Sequence, residues 1–208
     1  TLWHTLSLHD ALPISLFLVL IASLVLGMGL PVTAAYIVLI VLVGPALTQE
    51  FGIPLIIAHL VVFWYSQDSN VTPPIALAGF AGAAIAGAKP MATSVQAWKF
   101  AKGLYLIPLF MVYNPEMVLG GPLPIVLWTG VTAILALAAF AAAIEGWVFG
   151  RMDTVSRVAV VPAAAAVFYP DIRVEAAGAA VILAVLVWNR VQARRGADAA
   201  ARPDAGPA

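Results

Sequence analysis

Ser66-Gln67-Asp68-Ser69-Asn70-Val71-Thr72-Pro73-Pro74 is a polar, proline-ended stretch set between two apolar segments, residues 53–65 and 75–88. A helix needs about 20 apolar residues to cross a hydrocarbon core of about 30 Å, and neither flank reaches that length. Read as an aqueous loop, the stretch strands two segments too short to cross. Read as the unwound centre of one discontinuous helix, it joins them into helix, break, helix. A second break has the same form: Leu26-Gly27-Met28-Gly29-Leu30-Pro31-Val32-Thr33 separates apolar residues 16–26 from 32–47, each half too short to span comfortably by itself.

The composition places these breaks in lipid. Hydrophobic residues make up 63% of the chain and charged residues 10%, where soluble domains average about 45–50% and about 25%; the mean hydropathy is +1.02. The expected class is therefore all-α, a polytopic membrane protein with the bilayer as its first partner. Ten basic and ten acidic residues cancel, which leaves no basic face for a nucleic-acid backbone. Cysteine is absent, so disulfides, thiolate metal sites and a cysteine nucleophile are excluded. There are no paired histidines at metal spacing, no nucleophile elbow and no phosphate loop, so the expectation is a non-enzyme without a cofactor.

The chain divides by composition into four parts. Residues 1–15 contain Thr5-Leu6-Ser7-Leu8-His9-Asp10-Ala11-Leu12-Pro13-Ile14, which looks like a translated sequencing adapter, so this stretch reads as a non-native lead on a C-terminal fragment. Residues 16–120 hold the two breaks and a following apolar run, 103–119. Residues 121–190 carry further apolar runs at 123–149, 154–169 and 174–188; the second is short and contains Arg157 and Pro162. Residues 191–208 turn polar and Ala-rich and are expected to be a disordered tail. Outward from Lys89, Lys99 and Lys102, successive connections hold Glu116, then Arg151 and Arg157, then Arg173, then Arg190, Arg194, Arg195 and Arg202. If loops alternate sides, every Lys and Arg except Arg173 falls on one side, which the positive-inside rule makes cytoplasmic, with the C-terminus there.

Proline supplies the chemistry of the breaks. Having no N–H, Pro31 releases the Gly27 carbonyl of a continuing helix, and Pro73 and Pro74 release those of Ser69 and Asn70. Unpaired carbonyls are costly in lipid, and unwound carbonyls with half-helix ends are a known way to hold Na⁺ or H⁺. The plainer reading of Gly27 and Pro31 is a structural kink, and Asp68 reads equally as a protonated, internally bonded acid or a helix cap. His59, one turn before Phe63-Trp64-Tyr65, reads as a hydrogen-bonded core residue, and Glu145 as interfacial. Gly79, Ala83 and Gly87 allow close helix packing. Trp98, Trp128 and Trp147 fit interface belts, and residues 89–102 read as an amphipathic surface connector.

At these breaks the sequence resembles the large permease subunit of the tripartite ATP-independent periplasmic (TRAP) transporters, and within it the fused permeases of the TAXI type. The matching words are residues 27–36 (Gly-Met-Gly-Leu-Pro-Val-Thr-Ala-Ala-Tyr), Ala58-His59-Leu60, residues 68–78 (Asp-Ser-Asn-Val-Thr-Pro-Pro-Ile-Ala-Leu-Ala), Ile85-Ala86-Gly87-Ala88 and Tyr113-Asn114-Pro115. The resemblance implies an elevator-type secondary transporter of the bacterial inner membrane, driven by Na⁺ as coupling ion. It implies symport of an organic acid, such as a C4-dicarboxylate, delivered by a periplasmic solute-binding protein, with a small membrane subunit region fused upstream. Residues 16–47 then correspond to a re-entrant helical hairpin and 53–88 to the discontinuous helix. Gly27, Met28, Thr33, Ser69, Asn70, Thr72 and Pro73 are implied to border the ion, and Gln67 and Asp68 to face the substrate. The alternative is a structural or anchoring membrane subunit without transport activity, favoured if the breaks are dry and fully self-paired.

Overall fold

Proline and glycine punctuate the helices where the sequence reading put the breaks. The computed structural model describes residues 2–169 and 171–200, with side chains described over 11–118, 120–169 and 171–195. Helix α1 (Leu2–Gly27) stops at the first break. Helix α2 (Val32–Pro45) starts directly after Pro31, whose extended backbone (φ −56°, ψ 145°) turns the chain. Helix α3 (Leu55–Asp68) likewise follows Pro54 and ends at the second break. After the break come α4 (Leu77–Ala86), closed by Gly87 at φ 64°, and α5 (Pro90–Ala101), which begins on its own proline. The remaining helices are α6 (Ile107–Tyr113), α7 (Glu116–Leu119), α8 (Leu123–Glu145), α9 (Thr154–Val167) and α10 (Ile172–Ala200). Among the described residues there is no strand, only an isolated bridge between Trp147 and Arg151. The protein is an all-helical polytopic membrane protein.

Three segments depart from the sequence reading. Residues 32–47 were expected to be too short to cross, yet a π-helical turn, Ala46–Glu50, prolongs α2, giving a 19-residue candidate span, Val32–Glu50. The widened turn absorbs Pro45, and the Thr48 hydroxyl donates to the Gly44 carbonyl at 2.9 Å. The run 103–119 was expected to be one segment. It is instead a 3₁₀ turn, Lys102–Leu106, followed by α6 and α7, because Asn114 before Pro115 takes a non-helical conformation (φ −129°, ψ 66°). The tail expected from residue 191 remains helical as far as Ala200; residues 201–208 lie outside the described residues. The other candidate spans are Leu123–Glu145, of 23 residues, and Ile172–Arg195, of 24.

The chain forms two compact units, Thr1–Gly120 and Gly121–Ala208. In the first, α3 is the central helix, packed by α1, α2 and α6. Its residues Ile57, Ala58, Val61, Val62 and Tyr65 are buried with Leu16 and Val19 of α1 and Leu39 of α2. Leu12, within the stretch read as a foreign lead, belongs to the same core. Helix α4 lies on α5 at glycine distance: a Cβ on Gly79 would sit 2.8 Å from the Ser94 Cα. That contact is the close approach foreseen from Gly79, Ala83 and Gly87; Gly79 makes it, whereas Gly87 meets nothing within 4 Å and serves to close α4. In the second unit α9 packs against both α8 and α10 around Ala136, Ala139, Ala143, Val160, Ala164, Val167 and Ile182.

Polar groups in this unit close its turns. The Arg157 guanidinium donates to the Ala143 and Ile144 carbonyls at 2.7 and 3.2 Å, capping the end of α8 where Gly146 turns left-handed at φ 72°. Asp153 caps α9, its carboxylate accepting from the Ser156 N–H at 3.1 Å and the Ser156 hydroxyl at 2.6 Å. These bonds hold its pKa below the usual carboxylate range. Asn189 of α10 accepts from the Phe149 and Gly150 N–H groups at 3.2 and 3.3 Å, and Arg190 lies over the Phe149 ring at 5.5 Å.

The surface is what a soluble protein avoids. Val41 (69% exposed), Leu42 (68%) and Ile134 (70%) stand on the outside of candidate spans. Large aliphatic residues left outward on long helices are matched by lipid tails rather than water. Lipid also removes the hydrophobic drive between helices, so association here rests on van der Waals packing, closest where Gly27, Gly79 and Gly178 meet a neighbouring segment.

Candidate functional site

The two breaks, about 40 residues apart in sequence, meet. A Cβ built on Gly27 would lie 2.6 Å from the Ser69 Cβ and 3.5 Å from the Ser66 carbonyl. Only glycine allows the end of α1 to approach the end of α3 this closely. Helix α3 is held there by its core, and its last turn is buried: Ser66, Asp68 and Ser69 are at most 2% exposed.

Hydroxyl groups in the second break donate inward to the backbone. Ser66 donates to the Val62 carbonyl at 2.7 Å, Ser69 to the Ser66 carbonyl at 2.9 Å and Thr72 to the Asp68 carbonyl at 2.5 Å. With its proton so committed, Thr72 accepts from the Tyr105 hydroxyl, 2.6 Å away. The Asn70 carbonyl, expected to be freed by Pro74, instead accepts from the Ala78 N–H at 3.0 Å. That bond folds the break into a closed loop, since an unwound chain in lipid pairs whatever backbone groups it can reach. Each hydroxyl oxygen keeps lone-pair capacity after its proton is used, so the surroundings are rich in acceptors and poor in free donors.

One group in this setting has no partner. Both carboxylate oxygens of Asp68 are buried and make no hydrogen bond among the described residues, although the residue is only 1% exposed. Such a group carries an uncompensated desolvation penalty, above the ~1–3 kcal/mol of a neutral polar group. The arrangement can offset it by taking up a cation or a proton. Hard oxygen donors with one carboxylate suit an alkali or alkaline-earth cation better than a transition metal.

The predicted residues separate into groups. Gly27 meets Ser69, and Thr72 bonds the backbone carbonyl of the buried Asp68, with Asn70 and Pro73 half-buried in the same break and Met28 half-buried at the end of α1. Thr33 is exposed on α2 and Gln67 is exposed on α3. Gln67 meets only Asn70, which donates to it at 3.4 Å. Gln67 and Asp68, paired in the sequence reading, are thus split into an outer amide and a buried acid. Tyr105 was missed. Its sole sequence signal was a tyrosine just past Lys99 and Lys102, and only tertiary folding brings it to Thr72. His59, expected in a hydrogen bond, pairs through Nδ1 with the Tyr36 hydroxyl at 2.6 Å, so a residue of the first matching word is tied to one of the second. Among the described residues no three His, Asp or Glu gather as a metal cluster.

Comparison with known proteins returns one finding. The family model described as "Tripartite ATP-independent periplasmic transporter, DctM component" matches residues 3–119, more than half of the 208. The match ends one residue short of the boundary of the first unit at Gly120. No curated protein and no solved structure matches the chain.

Proposed function

From the premise that the chain belongs to the family of the tripartite ATP-independent periplasmic transporter DctM component, we propose that it takes part in Na⁺-coupled uptake of an organic acid, with the cation held where the two breaks meet. The family is one of transporters, not enzymes, and makes this a membrane permease subunit whose implied partner is a periplasmic binding protein. The finer reading is ours: a fused permease of the TAXI type. It lies in a bacterial inner membrane with its C-terminus cytoplasmic.

The observation that carries the proposal is Asp68, a buried carboxylate that makes no hydrogen bond among the described residues and directly precedes Ser69, the residue on which Gly27 packs. A cation entering this site gains the carboxylate and the lone pairs of Thr72 and Ser69, and relieves the desolvation of Asp68 in the same step. Binding of the ion then stabilises the packed arrangement of the two breaks, which is the physical basis for coupling an ion to a moving solute site. Gln67, exposed next to this centre, is the side chain positioned to meet the solute. Gly27, Met28, Asn70 and Pro73 shape the enclosure, whereas Thr33 enters only if α2 shifts toward it.

The scaffold reading draws on the inward-bonded hydroxyls and the closed Asn70 to Ala78 loop, but it leaves Asp68 unexplained. The test is uptake of labelled carboxylates by the intact permease with its binding protein in proteoliposomes. Uptake that disappears when Na⁺ is replaced by choline is expected; undiminished uptake in Na⁺-free buffer overturns the coupling ion. Thr72→Val keeps shape and deletes one oxygen. It is expected to raise the Na⁺ concentration needed for half-maximal uptake by about 5-fold, the equivalent of about 1 kcal/mol.

A further inference from the structure

The second unit, outside the family match, holds a feature to which the proposed function assigns no role. An open groove of about 450 Å³ runs along the hairpin of α9 and α10, lined by Pro162, Ala163, Ala166, Ala177 and Gly178, with Arg173 at one end. The volume falls within the range of about 300–1,000 Å³ typical of small-ligand sites. Its floor is a backbone contact: a Cβ on Gly178 would sit 2.6 Å from the Ala163 carbonyl and 3.1 Å from the Ala166 Cβ. The walls are mostly short aliphatic side chains, so the groove is open and apolar apart from Arg173. From Arg173 to Val181, another lining residue, it extends about 12 Å along α10 at helical rise.

Arg173 is the cation that broke the charge asymmetry of the sequence. Its backbone N–H bonds the Asp171 carboxylate at 2.8 Å, and its guanidinium has no partner among the described residues. A free guanidinium at the end of an apolar channel on a membrane helix asks for an occupant that is part hydrocarbon and part anion. A second copy of this helical hairpin would cover the channel but bury the guanidinium against apolar surface, which is costly without a counter-charge.

We propose that the α9–α10 groove is a binding site for an anionic phospholipid, one acyl chain lying along the channel and the phosphate meeting Arg173. The planar guanidinium offers two parallel N–H donors to a phosphate, a pairing a zwitterionic headgroup weakens by its own cation. Tyr169, exposed in the same turn, has the amphipathic ring that sits at headgroup level.

The experiment is native mass spectrometry of the full chain, delipidated in uncharged detergent and titrated with phosphatidylglycerol or with phosphatidylcholine of identical acyl chains. Glycerophosphoglycerol, the headgroup alone, is the third probe. Phosphatidylglycerol is expected to bind about 10-fold more tightly than phosphatidylcholine, a preference of the size one charge-assisted contact provides. Arg173→Gln is expected to abolish that preference and Arg173→Lys to retain part of it. Ala177→Phe, an exposed residue filling the channel, is expected to weaken both lipids. Equal binding of the two lipids by the unaltered chain, or an unchanged preference in Arg173→Gln, overturns the proposal. Headgroup alone binding as tightly as the lipid overturns it in favour of a soluble phosphate, and a dimer that Ala177→Phe abolishes overturns it in favour of a second copy. Circular dichroism checks the folding of each variant; should Ala177→Phe lose helix, the paired Arg173 variants decide.

Discussion

Among the described residues each unit buries one carboxylate between packed helices, and the two are treated differently. Glu175 of α10, 7% exposed, is hydrogen-bonded to the Thr132 hydroxyl of α8, which also lies within reach of the Trp128 and Thr129 carbonyls of its own helix. Asp68 of α3 accepts none, although Ser66, Ser69 and Thr72 lie within four residues of it. Every one of those hydroxyls turns to a backbone carbonyl instead. An acid of the first kind joins two helices, since its oxygen is matched by a donor from the partner. The second kind is a vacancy for charge. Proximity of hydroxyls therefore does not predict satisfaction; the direction of their protons does, and Ser or Thr on a helix turns that proton to the carbonyl three or four residues back.

The contrast can be broken by substitution. Asp68→Asn should have the largest effect, lowering Na⁺-dependent uptake by the intact assembly by about 100-fold, as loss of a contact of about 2–3 kcal/mol with a charged group would. The same change should leave thermal stability in Na⁺-free detergent equal or higher, because an unpaired buried charge has been removed. If uptake survives, Asp68 is no more than a second Glu175. Gly27→Ala sharpens the comparison from the side of packing. The added methyl meets Ser69 and should lower stability by about 1–3 kcal/mol, the usual result of overpacking, while also raising the Na⁺ requirement. Chemical unfolding and uptake measured on the same preparation check both parts.

Thr132→Val makes Glu175 resemble Asp68 by taking away its donor. Stability should fall by about 1–3 kcal/mol, the penalty of a buried acceptor left unmatched, and Na⁺ dependence should stay as it was; a change in Na⁺ dependence would erase the distinction between the two acids. The smallest effect is expected at Asp153, a carboxylate that is neither buried nor unmatched. Its pKa is lowered in the folded protein by the Ser156 hydroxyl and N–H. Its contribution is therefore complete above the ordinary carboxylate range and is lost as pH falls through the lowered folded value. The gap in thermal stability between the native chain and Asp153→Ala should close with acidification and persist at neutral pH.

The positions of the breaks were readable because proline acts locally. Pro31, Pro73 and Pro74 each forbid a particular backbone bond whatever surrounds them, and the start of α2 and the break after α3 fall beside them. Where local rules competed, the reading failed. Pro45 is the same residue type but sits ahead of a π-helical turn that carries the helix onward, and Asn114-Pro115 divides a run whose hydropathy alone predicts one segment. Of the site, Gly27, Ser69, Thr72 and Asp68 were on the sequence list, but nothing in the order of residues separated Asp68 from its exposed neighbour Gln67. Tyr105 had no signal beyond its own presence.

Composition, helix breaks and the character of the lipid-facing surface follow from the amino-acid sequence, because hydropathy and the missing N–H of proline are properties of residues and their near neighbours. The meeting of Gly27 with Ser69, the bond between Thr72 and Tyr105, and the difference between a matched Glu175 and an unmatched Asp68 were decided by tertiary structure. Each depends on which distant backbone or side chain fills the space beside a group, and that is fixed only when α1, α3 and the turn before α6 pack, or when α8 and α10 do.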